Sequence, residues 1–316
     1  MTAAFSFVPP SSASSASSAS SASSASSASS APSAPFASGP SAPLAPSNVS
    51  ARAARADSPW IRRWNDGAAS RLTLICLPHA GGSAGFYRPW AALLPPEVEL
   101  LAIQYPGREE RFEDPGAADM AELVGAIADA VLPLLDRPYA LFGHSMGSAV
   151  AWELAHELER RRVSGPRRLF ASGRAAPGTA VTGQLHRQDD DVLGAELARL
   201  GGTSREVLDD PGLRDLVLTA VRHDYRIIET YRPSPRPPLA CPVHVLTGDA
   251  DPELGAERSR DRAGGWAGLT TARTEVRVFP GDHFYLTPRR REVVATVLRR
   301  MDPSLSTGAR TWPSTP

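Results

Sequence analysis

Short apolar runs alternate with stretches of helical period through the middle of the chain. Leu72 to Leu77 (LTLICL) is an unbroken apolar run bounded by a Gly-rich turn, and it predicts a strand buried on both faces. Val98 to Gln104, Tyr139 to Phe142, Arg168 to Ala171, Val243 to Thr247 and Val276 to Phe279 predict further strands. Between them, Met120 to Leu135, Ser148 to Leu158 and Arg290 to Met301 carry apolar residues at helical spacing. Such alternation predicts an α/β protein with a mostly parallel sheet flanked by helices. The rhythm breaks from about Gly178 to Pro238. That segment holds helical runs at Val192 to Leu200 and Leu213 to Tyr231 but no strand pattern. It is read as a helical lid inserted over one end of the sheet.

The two ends of the chain have a different composition. Residues 11 to 31 are an uninterrupted Ser-Ser-Ala repeat, and Pro, Ser and Ala dominate to about Ser58. A segment with so little to bury cannot recover the entropy of ordering, so 1–58 is expected to be a disordered tail. A transit peptide would be rich in Arg, and here the first Arg is Arg52. The expected organisation is a tail at 1–58, one domain at 59–302 with its lid at about 178–238, and a flexible C-terminal tail at 303–316.

Charge and cysteine content narrow the setting. Lys plus Arg and Asp plus Glu number 34 each, which gives no electrostatic reason to expect nucleic acid or an anionic membrane. No apolar run approaches the roughly 18 residues of a membrane span. Cys76 and Cys241 both adjoin apolar runs and read as buried free thiols in a reducing compartment. A cytoplasmic monomer with no cofactor or metal of its own is the expectation.

The candidate chemistry begins at Gly143-His144-Ser145-Met146-Gly147, which matches G-x-S-x-G between a strand and an Ala-rich helix. A serine on that turn stands in strained backbone with its hydroxyl exposed, and side chains at Gly143 or Gly147 would collide with backbone. The N–H of Met146 opens the helix and faces a developing oxyanion. In the α/β-hydrolase fold the acid and the histidine follow on loops after later strands. His283, directly after the last strand, has the position of the base. Gly248-Asp249-Ala250-Asp251-Pro252 offers two acids. Asp251, just before the proline, is the better placed, and Asp249 is the better turn cap. The Gly-rich loop Leu77 to Ser83 offers Ala80 N–H as a second oxyanion donor. A phosphate-binding loop is excluded there, because the chain has no lysine and lacks the full pattern. His79 can line the site, and His144 should pack near the turn. His156, His186, His223 and His244 read as surface or structural residues.

These segments together resemble one family. LPHAGGSAGFYRPW (from Leu77), QYPGREERF (Gln104 to Phe112), GHSMGS, LGGT (Leu200 to Thr203), TGDADP, Trp266 and FPGDHFYL are similar to the type II thioesterases. Those are discrete proteins that accompany modular polyketide synthases and nonribosomal peptide synthetases. The resemblance spans about residues 60 to 301. It implies a serine hydrolase that removes acyl groups from the phosphopantetheine arm of acyl or peptidyl carrier proteins, clearing stalled or misprimed chains. It puts the triad on Ser145, Asp251 and His283. The stretch His186 to Asp191 departs from the family's lid pattern, so no acyl preference carries over, and the Ser/Ala leader lies outside that pattern. A general carboxylesterase or lipase is the alternative, and an inactive binding module a third reading that the intact Ser, Asp and His oppose. The lid, with Leu213, Leu216, Val217 and Val221 at helical spacing, is expected to govern substrate choice and leave the chemistry alone.

Overall fold

A computed structural model describes residues 58–65, 69–179, 183–203, 205–254 and 264–307. All of the expected N-terminal tail except Ser58 lies outside them. Within them the strands are β1 Ile61–Arg62, β2 Leu72–Leu77, β3 Val98–Ile103, β4 Tyr139–His144, β5 Arg168–Ser172, β6 Val243–Gly248 and β7 Thr274–Phe279. The sheet order is β1-β3-β2-β4-β5-β6-β7, antiparallel only where β1 joins β3. This is the expected α/β-hydrolase architecture.

Burial follows the pleat. Leu72, Leu74 and Cys76 face one core, and Ile75 and Leu77 face the other. The first core is completed by Val293, Val294 and Val297 of the closing helix. The second is completed by Leu123, Val124 and Ile127 of one helix and Val150 and Leu154 of another. The helices are α1 Arg88–Ala91, α2 Met120–Val131, α3 Met146–Arg160, α4 Asp190–Leu200, α5 Arg205–Asp209, α6 Pro211–Thr230 and α7 Arg290–Met301. Asp119, Asp189 and Asp210 cap α2, α4 and α6 by accepting an N–H of the first turn. Both cysteines are free and buried. No helix among the described residues is long and apolar enough to cross a membrane.

Each expected strand is present, with ends shifted by a residue or two. β1 was not foreseen, because two residues are too few to show a period. Between β5 and β6 the described residues hold α4, α5 and α6 and no strand of the sheet, with irregular chain on either side of them. The apolar face of α6 differs from the expected one. Val221 is buried and Val217 packs against the lid cluster, whereas Leu213 and Leu216 are turned to solvent. At the C-terminus, Pro303–Thr307 forms a 3-10 turn, and Leu305 is buried in the core beside α7. Ordered packing therefore runs past the expected boundary at 302.

The sheet places its chemistry at one edge of each strand. β3 lies on one side of β2 and β4 on the other, so the chain reverses its winding direction there. The C-terminal ends of β2 and β4 open the crevice where ligands bind in such sheets.

Phe142 fills the core beneath this crevice, fully buried against Trp90 at 4.8 Å between ring centroids. Phe142→Ala is expected to cost about 3–5 kcal/mol in urea denaturation. Val276→Ala, on the exposed face of β7, should stay within about 0.5 kcal/mol.

Candidate active site

The turn from β4 into α3 brings backbone against backbone. A Cβ on Gly143 would lie 2.0 Å from Gly147 O, and one on Gly147 would lie 2.1 Å from Leu77 O. Ser145 adopts φ 51° and ψ −117°, a conformation an L-residue holds only under constraint. The constraint is visible in the hydrogen bonds. Ser145 N–H donates to Ser172 O at 2.8 Å, and the Ser148 hydroxyl lies 2.9 Å from both Gly143 O and Ser172 O. Ser145 thus projects into a cavity of about 360 Å³ at the end of the sheet.

His283 lines the same cavity from the loop after β7. Its Nδ1 stands 3.1 Å from both carboxylate oxygens of Asp251. The pair is almost wholly buried, at 1% and 0% exposure. Asp251 also accepts the Glu253 N–H at 2.9 Å, which fixes the carboxylate in place. Burial opposes a charge on His283, but the hydrogen bond and negative charge of Asp251 outweigh it, so its pKa stands above the ordinary 6.5. Asp249 does not reach the histidine. It is exposed, and its Oδ1 accepts the Gly281 N–H at 2.9 Å, tying the β6 exit to the loop that carries His283.

Two other histidines stand close by in a different electrostatic state. His144 is buried, with Nδ1 3.0 Å from Ser172 Oγ and its ring 4.9 Å from that of His283. Burial, then the positive charges possible on His283 and His79, push its pKa well below 6.5. His79 lines the cavity and is lowered to about 3, first by burial and then by His283 and Arg108. His156 packs on Trp152, His186 pairs with Glu229, and His244 stacks on Phe170, all away from Ser145. His223 lines a separate cavity on the lid.

Of the two expected oxyanion donors, Met146 N–H is the first of α3, and the first N–H groups of a helix have no intrahelical acceptor. Ala80 lines the cavity opposite. Among the described residues its N–H meets no acceptor, whereas Gly81 and Gly82 N–H are engaged by Asp224 and His79 O. The roof comes from Leu197 and Leu200 of α4 and from Val217, Val221 and Tyr225 of α6. The cavity therefore joins a polar floor holding Ser145 and His283 to an apolar wall. Arg108 and Asp224, which hold the Gly-rich loop, are not singled out by any sequence pattern. Arg108 lies in the QYPGREERF run, but nothing in the sequence marks Asp224.

Residues 72–301 match the Thioesterase domain family. The chain is 42% identical over 244 residues to the probable cadicidin biosynthesis thioesterase of Streptomyces griseus, covering 77% of this chain and 66% of that protein. It is 40% identical over 235 residues to thioesterase PikA5 of Streptomyces venezuelae, covering 74% of this chain and 82% of that one. Among solved structures, the type II thioesterase BorB from the borrelidin biosynthetic cluster aligns with a TM-score of 0.68 at 40% identity. That alignment covers 77% of this chain and 97% of BorB.

The Asp251–His283 pair has a direct spectroscopic consequence. NMR titration of the His283 ring should give a pKa above 6.5, and Asp251→Asn should lower it, because burial then acts with little opposition. Asp249→Asn should leave it in place. A His283 pKa that ignores Asp251→Asn would show that this carboxylate does not hold the imidazole's charge.

Proposed function

Since the chain belongs to the Thioesterase domain family, alongside the type II thioesterases, we propose that it hydrolyses acyl thioesters held on the phosphopantetheine arm of acyl or peptidyl carrier proteins. In this reading it edits assembly lines by clearing stalled or misprimed acyl groups, and the phosphopantetheine arrives with its partner. The observation that carries the reading is the single cavity. It offers a strained serine and a carboxylate-paired histidine at one end, and an apolar lid for an acyl chain at the other.

In this reading the groups act in the following order. Ser145 Oγ attacks the thioester carbonyl carbon while His283 takes the hydroxyl proton on Nε2. Asp251 fixes the imidazole through Nδ1 and stabilises the imidazolium. The carbonyl π electrons move to oxygen, and the oxyanion is held by the N–H groups of Ala80 and Met146. Collapse breaks the C–S bond, and the leaving thiolate takes the proton from His283. Water then attacks the acyl-Ser145 ester with His283 again as base, releasing the carboxylic acid and restoring the serine. A lid that covers the acyl chain contributes about 0.8 kcal/mol per buried methylene.

Because the imidazolium cannot accept a proton, the acidic limb of kcat/KM is expected above pH 6.5, tracking the raised pKa of His283. Ser145→Ala should lower kcat by roughly 10⁴- to 10⁶-fold with the fold intact. The parent enzyme should cleave acyl-carrier thioesters faster than p-nitrophenyl esters of the same acyl chain. Equal or greater preference for the free ester would favour a general carboxylesterase.

A further inference from the structure

The Gly-rich loop after β2 is gripped from outside by two charged residues that take no part in proton transfer. Asp224, on lid helix α6, accepts the Gly81 N–H at 2.7 Å through Oδ2. Arg108 engages both oxygens of that carboxylate, Nη1 at 2.8 Å from Oδ2 and Nη2 at 2.9 Å from Oδ1. The same guanidinium donates to Gly82 O at 2.9 Å and to Pro106 O at 3.1 Å. Both side chains are buried, at 7% and 3% exposure. A planar fork on a carboxylate is the pairing that leaves least freedom to either partner.

What the grip fixes is the direction of one N–H. His79 C=O and Ala80 N–H belong to a single planar peptide unit. His79 O accepts the Gly82 N–H at 2.9 Å, so the Gly82 position sets one end of that plane. Arg108 holds the Gly82 carbonyl, and Asp224 holds the Gly81 N–H. With its neighbours fixed on both counts, the peptide plane that carries Ala80 N–H is held at the cavity that Ala80 and Ser145 line. Gly81 itself leaves no slack. It sits at φ 76°, and a Cβ there would lie 2.3 Å from Val221 Cγ2, one helical turn before Asp224. The lid helix therefore rests directly on the loop. Gln104 adds a further tie, accepting Ala84 N–H at 2.6 Å, while Arg111 donates to Gln104 O at 2.9 Å.

We infer that Arg108 and Asp224 are positioning residues for the oxyanion donor Ala80, and that the lid helix α6 is through them part of the acyl-transfer machinery. This rests on the assignment of Ser145 and Ala80 to acyl transfer. It gives the QYPGREERF run a task that an esterase elbow alone does not need. It also changes the role expected of the lid. α6 lines the acyl cavity through Val217, Val221 and Tyr225, and from the same helix it supplies the acceptor that holds the catalytic loop.

The test uses the full chain with Arg108→Lys, which keeps the buried pair charge-neutral, and Asp224→Asn. Each is assayed for kcat and KM on an acyl-carrier thioester, for inhibition by an alkyl trifluoromethyl ketone, and for melting by circular dichroism. The ketone forms a tetrahedral oxyanion adduct with the serine and so reports the oxyanion site. Expected are roughly 10- to 100-fold losses in kcat, parallel losses in ketone affinity, and KM within about twofold of the parent. Parent-like kcat and ketone affinity in both variants would overturn the inference, as would a rise in KM alone. Loss of the melting transition in both would make the pair a fold element and overturn it too. Ser145→Ala is run in parallel. If it stays active, the acyl-transfer reading itself fails. If it is dead while the two variants match the parent, only the inference fails.

Discussion

The site is organised around the close backbone approach at the β4–α3 turn. Gly143 and Gly147 leave no room for a side chain, with 2.0 and 2.1 Å between an added Cβ and the facing carbonyl oxygens. That contact forces Ser145 into positive φ and starts α3 at the next residue. One constraint thus sets both the cavity-lining serine and the helix terminus beside it. The contact of Gly147 with Leu77 O also ties the turn to the end of β2, where the Gly-rich loop begins. Ser145 and the Gly-rich loop are therefore parts of one packed unit. Ser148 and Ser172 extend that unit to β5 through buried hydrogen bonds.

Electrostatics then set three neighbouring imidazoles apart. Burial strips the charge from His79 and His144, and a proton on His283 would disfavour theirs further. Only His283 has a buried carboxylate on its other nitrogen, and only its pKa is raised. His79 and His144 are left as neutral packing surfaces around the serine, ringed by Phe86 and Phe284. A buried carboxylate that would be costly alone is here satisfied by His283, the Glu253 N–H and Thr247. The second buried carboxylate of the site, Asp224, is satisfied in the same manner by Arg108. Both carboxylates hold geometry that faces the serine, one through His283 and one through the Gly-rich loop.

Much of this was legible because it depends on local pattern. Buried parallel strands read as apolar runs, so β2 to β6 stood out, and G-x-S-x-G needs only five residues to declare its backbone. Asp249 and Asp251 could be ranked from the proline that follows, and the geometry separates them as capping and histidine-facing carboxylates. Long-range pairing left no such trace. Asp224 lies 116 residues from Arg108, within an ordinary amphipathic helix, and no period reveals which carboxylate meets which guanidinium. The apolar face of the lid helix differs from its sequence pattern for a related reason. Leu213 and Leu216 have helical spacing with Val217 and Val221, but they face solvent, whereas Val217, Leu218 and Val221 pack in the lid cluster, and spacing alone does not say which side of the helix finds a partner. β1 was invisible because Ile61 and Arg62 form too short a strand to show alternation.

On the proposed mechanism an acyl group passes from a carrier thioester to Ser145 before water removes it. Rapid quench of the enzyme with an acyl-loaded carrier protein, followed by intact-protein and peptide mass spectrometry, tests that most directly. The carrier is expected to lose the acyl mass while the enzyme transiently gains it, on the peptide containing Ser145. Loss of acyl groups from the carrier with no adduct at any time, and at an undiminished rate when Ser145 is alanine, would contradict it.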